Sequence, residues 1–320
     1  MRPELIRSVV EKHILPSTKA LAETSATLAA SAQDNCEPQD SALRLAYGRA
    51  FDAWIAVSHL HFGPFETDNR GFALAFWPDT RSKTPKTLGA MIRNADQVAG
   101  DATAYAAVSI AARGFYALEF LLYDAPLSRI GSTAYRCQLL RRVTADISST
   151  ATAISTDWQQ LYAPLLLRAG AVGNVTYQTT EEAVQELFKA MMTGLQFTTQ
   201  ARLGRPMGTP QRPRPKRAEA RRSGRSMRHV QLSLTALADL AMLLSAGNPP
   251  IQTNLAIRFK HTQKLAAQLN DPIFATVATP QGRIRFEVLK QSIEIITLMC
   301  IKELAPKLGV VGGFNALDGD

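Results

Sequence analysis

Arg113-Gly-Phe-Tyr-Ala-Leu-Glu-Phe-Leu-Leu-Tyr-Asp124 sets one carboxylate, Glu119, in an otherwise apolar run of Phe115, Leu118, Phe120, Leu121 and Leu122. On a helix, Tyr116 and Glu119 are three residues apart and share a face, with Gly114 about half a turn earlier. A carboxylate buried among such neighbours needs a cation, a hydrogen-bond donor or a raised pKa. The alternative is a Glu119 that points to solvent or pairs with Arg113.

Outward from this stretch, the 320-residue chain is long enough for two ordinary domains or one large one. Apolar residues make up 46% and aromatics 7%, a composition that excludes disorder and favours helices over a sheet. No run of about 18 uncharged apolar residues occurs, so no segment is expected to span a membrane. Glu4, Arg7, Glu11, Lys12 and His13 break up the first twenty residues, which lack the apolar core of a secretory signal. Cys36, Cys137 and Cys300 show neither a C-x-x-C pair nor zinc spacing, and read as three unremarkable thiols that leave the compartment open.

The apolar spacing reads as helix after helix. The first spans residues 2 to about 33, with a kink expected at Pro16. The second is capped by Ser41 and runs through Leu60, with Leu43, Tyr47, Ala50, Trp54 and Val57 on its apolar stripe. Residues 61–85 form a long loop carrying Phe62, Phe65, Phe72, Phe76 and Trp77, expected to be ordered and functional. Helical pattern resumes near Thr87 and leads into the central stretch. Further helices cover 132–165, then Thr179 to about Arg202 with Glu181 and Glu182 at its start, then 226–245, 250–269 and 281–307. No period-two strand is found. The expected fold is all-α: two helical bundles, residues 1–170 and 171–320, with a boundary at Gly170–Asn174.

The formal charge of +9 is local. Between Arg202 and Arg228 ten basic residues face a single acid, Glu219, so this segment carries the whole excess. Its prolines make it an extended inter-helix loop, read as solvated. A nucleic-acid arm is disfavoured because the segment lacks interleaved aromatics. Arg221, Arg222, Arg225 and Arg228 lie nearer the next helix, where they suit an anionic pocket. Phosphate-loop, zinc-helix and nucleophile-elbow motifs are absent. With five histidines in all, a multi-histidine metal site would need nearly all of them to converge, and His59 and His61 read as surface residues.

Several stretches together resemble the imelysin-like family of bacterial periplasmic or lipid-anchored proteins. They are Trp54 with His61-Phe62-Gly63-Pro64-Phe65, Phe76-Trp77-Pro78-Asp79, Arg113–Leu122 in the position of that family's Gly-x-His-x-x-Glu helix, and Arg222-Ser223-Gly224-Arg225-Ser226. The ending Leu308-Gly309-Val310 with Gly313-Phe314-Asn315-Ala316-Leu317-Asp318-Gly319-Asp320 completes the set. The resemblance implies two four-helix-bundle-like domains related by duplication, with a site where they meet. It also implies export, as a periplasmic protein or a lipoprotein anchored at the inner or outer membrane, with its leader expected to have been removed ahead of Met1. A role in iron acquisition follows, with iron-uptake components of the cell envelope as partners.

At one place the chain departs from the family pattern: the motif His is Tyr116, while Gly114 and Glu119 remain. A phenol titrating near about 10 is a poor zinc ligand, whereas a phenolate suits ferric iron. The departure speaks against peptidase activity, and no catalytic residue is assigned. Expected ligand-binding residues are Arg113, Gly114, Tyr116 and Glu119, with His61, Glu66, Trp77 and Asp79 of the long loop and Arg222 and Arg225 beyond it. The metal, iron or another divalent ion, is expected on Glu119 and His61. The favoured reading is a non-enzymatic binding protein for a metal or a metal-bearing ligand. An imelysin-type metallopeptidase and an anion- or polysaccharide-binding protein using residues 202–228 are the alternatives.

Overall fold

The computed structural model describes residues 2–311, so the closing Gly313–Asp320 motif lies outside the described residues. The principal helices are α1 (Arg2–Val9), α2 (Leu15–Asp34), α3 (Ser41–Val57), α4 (Lys83–Asn94), α5 (Gly114–Tyr123), α6 (Thr133–Asp157), α7 (Thr180–Phe197), α8 (Ser226–Leu244), α9 (Pro249–Leu269) and α10 (Pro280–Met299). Among the described residues, extended backbone pairs only in an isolated bridge between Thr209 and Arg212. The fold is all-α.

The chain divides into two compact units that are discontinuous in sequence. The first comprises Met1–Ser17, Ile55–Phe62 and Trp158–Asp320, and the second Thr18–Trp54 and Gly63–Asp157. Gly170, where the sequence reading placed its boundary, falls within the first unit.

In the first unit α7 packs on α8, α8 on α9, α9 on α10 and α10 back on α7, while α1 lies against α7 and α8. The ring closes because each helix buries one stripe at three- and four-residue spacing. Leu187, Phe188, Met191 and Leu195 of α7, Val230, Leu234 and Leu237 of α8, Phe259 of α9, and Phe286, Leu289 and Ile293 of α10 are all buried. Each contributes about 1.5–3 kcal/mol of transfer free energy. The start of α7 is fixed by a capping box: Glu182 N–H donates to Thr179 Oγ1 at 3.2 Å, and Thr179 N–H donates to Glu182 Oε2 at 3.3 Å.

Helices of this unit pass through four prolines in one way. Pro16, Pro164, Pro206 and Pro306 each follow a stretch of π-helix, at Val10–Ile14, Trp158–Tyr162, Thr198–Gly204 and Cys300–Leu304. Proline lacks an N–H and its ring crowds the carbonyl four residues back. A wider turn accommodates both effects without ending the helix. The kink expected at Pro16 takes this form, and Pro164 and Pro306 interrupt stretches that the apolar spacing reads as continuous.

In the second unit α5 packs on α4 and α6. Phe51 of α3 stacks on Phe115 of α5 with centroids 4.9 Å apart, and Arg141 of α6 donates to the Ala32 carbonyl of α2 at 3.1 Å. The cap of α3 is Asp40 and not Ser41, since Asp40 Oδ1 accepts from Leu43 N–H at 2.7 Å. The helix ends at Val57, short of Leu60. The helical pattern read from Thr87 onward is broken before the central stretch, which starts afresh at Gly114.

The reading of three unremarkable thiols is corrected: Cys36 and Cys137 form a disulfide, with Cα atoms 5.3 Å apart. Their separation of 101 residues gave no local signal, and only the packing of α2 against α6 brings them together. Cys300 alone stays a thiol, pushed up to about 12 by burial and by Glu303. Replacing Cys36 and Cys137 with serine should lower the unfolding free energy by about 2–5 kcal/mol. Urea titrations of wild type with and without reductant should show the same loss; a midpoint that ignores reductant would contradict the crosslink.

Candidate functional site

In the second unit, Gly114 opens α5 at φ +73, a left-handed conformation that glycine adopts without strain. A Cβ there would lie 2.1 Å from the Leu74 carbonyl oxygen, so the short helix Arg70–Leu74 can approach α5 only because residue 114 has no side chain. On α5 Tyr116 and Glu119 lie one turn apart, 6% and 3% exposed. Tyr116 meets Phe51 edge-on at 5.2 Å, and half-exposed Trp77 stacks on it at 6.3 Å. Burial removes the reading in which Glu119 points to solvent. Arg113 does not pair with it either: its guanidinium forks onto Asp146 at 2.8 and 2.9 Å and donates to the Ala106 carbonyl at 2.7 Å. Burial pushes the Asp146 carboxyl up, and Arg113 and Arg142 offset part of that rise.

The long loop is ordered as short turns, and it distributes its residues differently from a ligand cluster. Asp79 accepts backbone N–H groups of Arg81, Lys83 and Thr84, holding the start of α4. Partial burial would raise its pKa, but these hydrogen bonds outweigh it and the net shift is downward. Glu66 is exposed on a turn and Phe72 is exposed on the short helix Arg70–Leu74, whereas Phe62 and Phe65 are buried. His61 belongs to the first unit and Glu119 to the second. Among the described residues no three His, Cys, Asp or Glu side chains gather closely enough to hold a metal ion.

The first unit carries a buried polar network that the sequence reading missed. Arg202, on the π-turn after α7, is 2% exposed, so this arginine does not belong to a solvated loop. Its Nε donates to Glu219 Oε2 at 2.8 Å, and its terminal nitrogens reach Ser233 Oγ and Ser58 Oγ, each at 3.2 Å. His229 Nδ1 lies 3.2 Å from the same carboxylate oxygen, and Ser226 Oγ donates to the Glu219 carbonyl at 2.6 Å. Nearby, His13 and His59 approach Nε2 to Nε2 at 2.9 Å. His59 is therefore a core residue and not a surface one, at 3% exposure, while His61 keeps an exposed edge.

Burial holds these imidazoles neutral. His13 is pushed down to about 4. His59 falls well below the usual range through burial and then the charges of His13, His61 and Arg202. His229 is lowered by burial despite the opposing pull of Glu219. Of the expected arginines, Arg222 is exposed and Arg225 half-buried, its charge adding to the depression of His229. The signal available in sequence was Glu219, the one acid among ten bases.

The sequence model of the imelysin family, designated peptidase M75, matches residues 14–296. The chain belongs to the imelysin family. An imelysin-like protein from Psychrobacter arcticus 273-4 has the same fold, with a TM-score of 0.82 at 19% identity over 98% of this chain and 97% of that one. A Parabacteroides distasonis ATCC 8503 protein described as an iron-regulated protein A precursor gives 0.78 at 13% identity, over 97% and 94%. No curated protein matches. In this member of the family Gly114 is explained by the Leu74 contact, and Tyr116 is a phenol stacked on the Trp77 indole.

Glu219→Gln should leave the Arg202 guanidinium buried beside a neutral partner and destabilise the protein by about 3–5 kcal/mol, read from urea unfolding. An unchanged midpoint would show that the pair carries no stability. Acid should weaken the fold through the histidines. Unfolded His binds a proton near about 6.5 while these folded sites resist it, so stability falls as pH drops from about 6.5 toward 4, at up to about 1.4 kcal/mol per pH unit per histidine. His13→Gln should make the loss between pH 7 and 5 shallower; an identical slope would exclude His13 from the effect.

Proposed function

We propose that this imelysin is a non-enzymatic protein of the cell envelope that binds an iron-bearing ligand at the Trp77–Tyr116–Glu119 cluster. The observation that carries the reading is the pairing of a phenol and a carboxylate one turn apart on α5, both buried, with the phenol packed between Trp77 and Phe51. Two hard oxygen donors match ferric iron better than zinc. Two protein donors leave most of a coordination sphere to be filled, so the donor set fits iron that arrives with its own ligands, such as a ferric chelate. Trp77, half-exposed and stacked on Tyr116, offers an indole face to a planar ligand.

Two further findings support the setting. The Cys36–Cys137 disulfide suits an oxidising compartment outside the cytoplasm. The Parabacteroides protein of this fold bears the name iron-regulated protein A precursor, which is in keeping with an iron-related ligand. No helix among the described residues is long and apolar enough to cross a membrane.

The test is a calorimetric and visible-absorption titration with ferric citrate, ferrous ion and zinc. Ferric citrate should bind and raise a phenolate-to-iron absorption band. Tyr116→Phe should abolish the band, and Glu119→Gln should weaken binding at least about tenfold, the loss of one charged contact of roughly 1.4 kcal/mol. Ferric citrate binding that survives both substitutions, or none by wild type, would sink the proposal.

A further inference from the structure

The basic segment does not behave as one body of charge. Arg202 is consumed inside the first unit by Glu219, the only acid between Arg202 and Arg228. Arg212, Arg214, Lys216 and Arg217 follow one another in a stretch that contains no acid, and the backbone displays them on a fixed hairpin. After the helical turn Arg205–Met207, Gly208 reverses the chain at φ +54, where a Cβ would lie 2.4 Å from the Arg212 carbonyl oxygen. Arg212 N–H donates to both the carbonyl and Oγ1 of Thr209, at 3.0 and 3.1 Å. Arg214 N–H donates to the Pro206 carbonyl at 2.8 Å, and Arg217 N–H to the Arg214 carbonyl at 2.8 Å. Arg283 of α10 ties the turn down through the Met207 carbonyl at 2.7 Å, while its Nε is bound to Glu287 at 2.8 Å. Pro206, Pro210, Pro213 and Pro215 remove much of the remaining backbone freedom.

On this frame Arg212, Lys216 and Arg217 are exposed and Arg214 is half-exposed. None of the four side chains makes a hydrogen bond or ion pair with another described residue. Of the carboxylates on the elements packed here, Glu287 is engaged by Arg283 and Asp271 accepts from Ala275 N–H and from Thr276. The cations press on one another instead. Partial burial, then Arg212 and Arg217, lower the Arg214 pKa, and partial burial, then Arg217, lower that of Arg205. Mutually repelling guanidiniums held on a rigid turn are preorganised for a multivalent anion, because ordering them costs little on binding and the anion relieves their repulsion. Guanidinium forks match phosphate oxygens two at a time. The hairpin holds no aromatic residue on which a nucleic-acid base would stack.

We propose that the Arg212–Arg217 hairpin is a phosphate-recognition site, taking either the headgroups of anionic phospholipids or free polyphosphate.

The experiment uses the full chain against vesicles of phosphatidylglycerol mixed with phosphatidylcholine, vesicles of phosphatidylcholine alone, and inorganic pyrophosphate. The test variant is Arg212→Gln/Arg214→Gln/Arg217→Gln. A charge-matched control, Arg258→Gln/Lys260→Gln/Lys264→Gln, removes three exposed cations from α9. Wild type should bind the anionic vesicles or pyrophosphate, with affinity falling steeply as salt rises. At about fivefold per cation, the hairpin variant should bind the anionic vesicles about 100-fold more weakly, while the α9 control loses far less. Vesicle binding that pyrophosphate does not displace identifies the lipid headgroup as the source. Pyrophosphate binding lost in the hairpin variant, with no vesicle binding, identifies free phosphate. The proposal is overturned if wild type binds neither, if neutral vesicles bind equally well, if both variants weaken alike, or if only single-stranded DNA is bound. Circular dichroism and urea midpoints matching wild type certify that the hairpin variant is folded.

Discussion

The buried Arg202–Glu219 pair is the interaction on which the polar interior of the first unit depends. An arginine remains charged wherever it is placed, so a guanidinium with 3% side-chain exposure must carry its own counterion and hydrogen-bond acceptors inward. Glu219 supplies the charge, and Ser58 and Ser233 supply further oxygens. His229 shares the same carboxylate oxygen. Burial keeps His59 and His229 neutral, and this cation beside them adds to the cost of protonating either one. The network is therefore a set of mutually dependent choices, in which burial keeps the histidines neutral and one fixed positive charge reinforces that at His59 and His229.

Helix continuity past proline supplies the geometry for that network. Arg202 sits on the π-turn Thr198–Gly204, directly ahead of Pro206. The widened turn rotates the residues that follow relative to an unbroken α-helix, so the proline and the direction of the guanidinium are parts of one local solution. The same device recurs at Pro16, Pro164 and Pro306, and every instance lies in the first unit. The second unit is organised by different means, a glycine contact under α5 and a disulfide joining the end of α2 to α6. In both units a strong local exception sits among otherwise regular helices, and the side chains with chemical potential cluster around it.

The motif position gains meaning from this comparison. Gly114 is required by the approach of the Leu74 carbonyl, which is a structural reason for a glycine two residues ahead of the family's histidine. Replacing that histidine with Tyr116 keeps an aromatic ring against Phe51 and Trp77 while exchanging a nitrogen donor for an oxygen one. Packing around Tyr116 accommodates the phenol ring between Phe51 and Trp77.

Sequence alone determined the all-α class, the family and most helix spans, because those depend on apolar spacing, caps and short motifs that act over a few residues. Thr179 with Glu182 announced α7, and Ser226 opens α8 where the motif placed it. It also marked Tyr116 and Glu119 as neighbours on one helix face, since a separation of three residues fixes that on any helix. Tertiary structure decided the rest. Cys36 met Cys137 across 101 residues, His13 met His59, and Glu219 turned inward to Arg202 across 17 residues of a segment that composition had marked as solvated. Each of these is a long-range pairing or a burial decision. No local pattern encodes it, because its free energy comes from neighbours that the fold alone brings together.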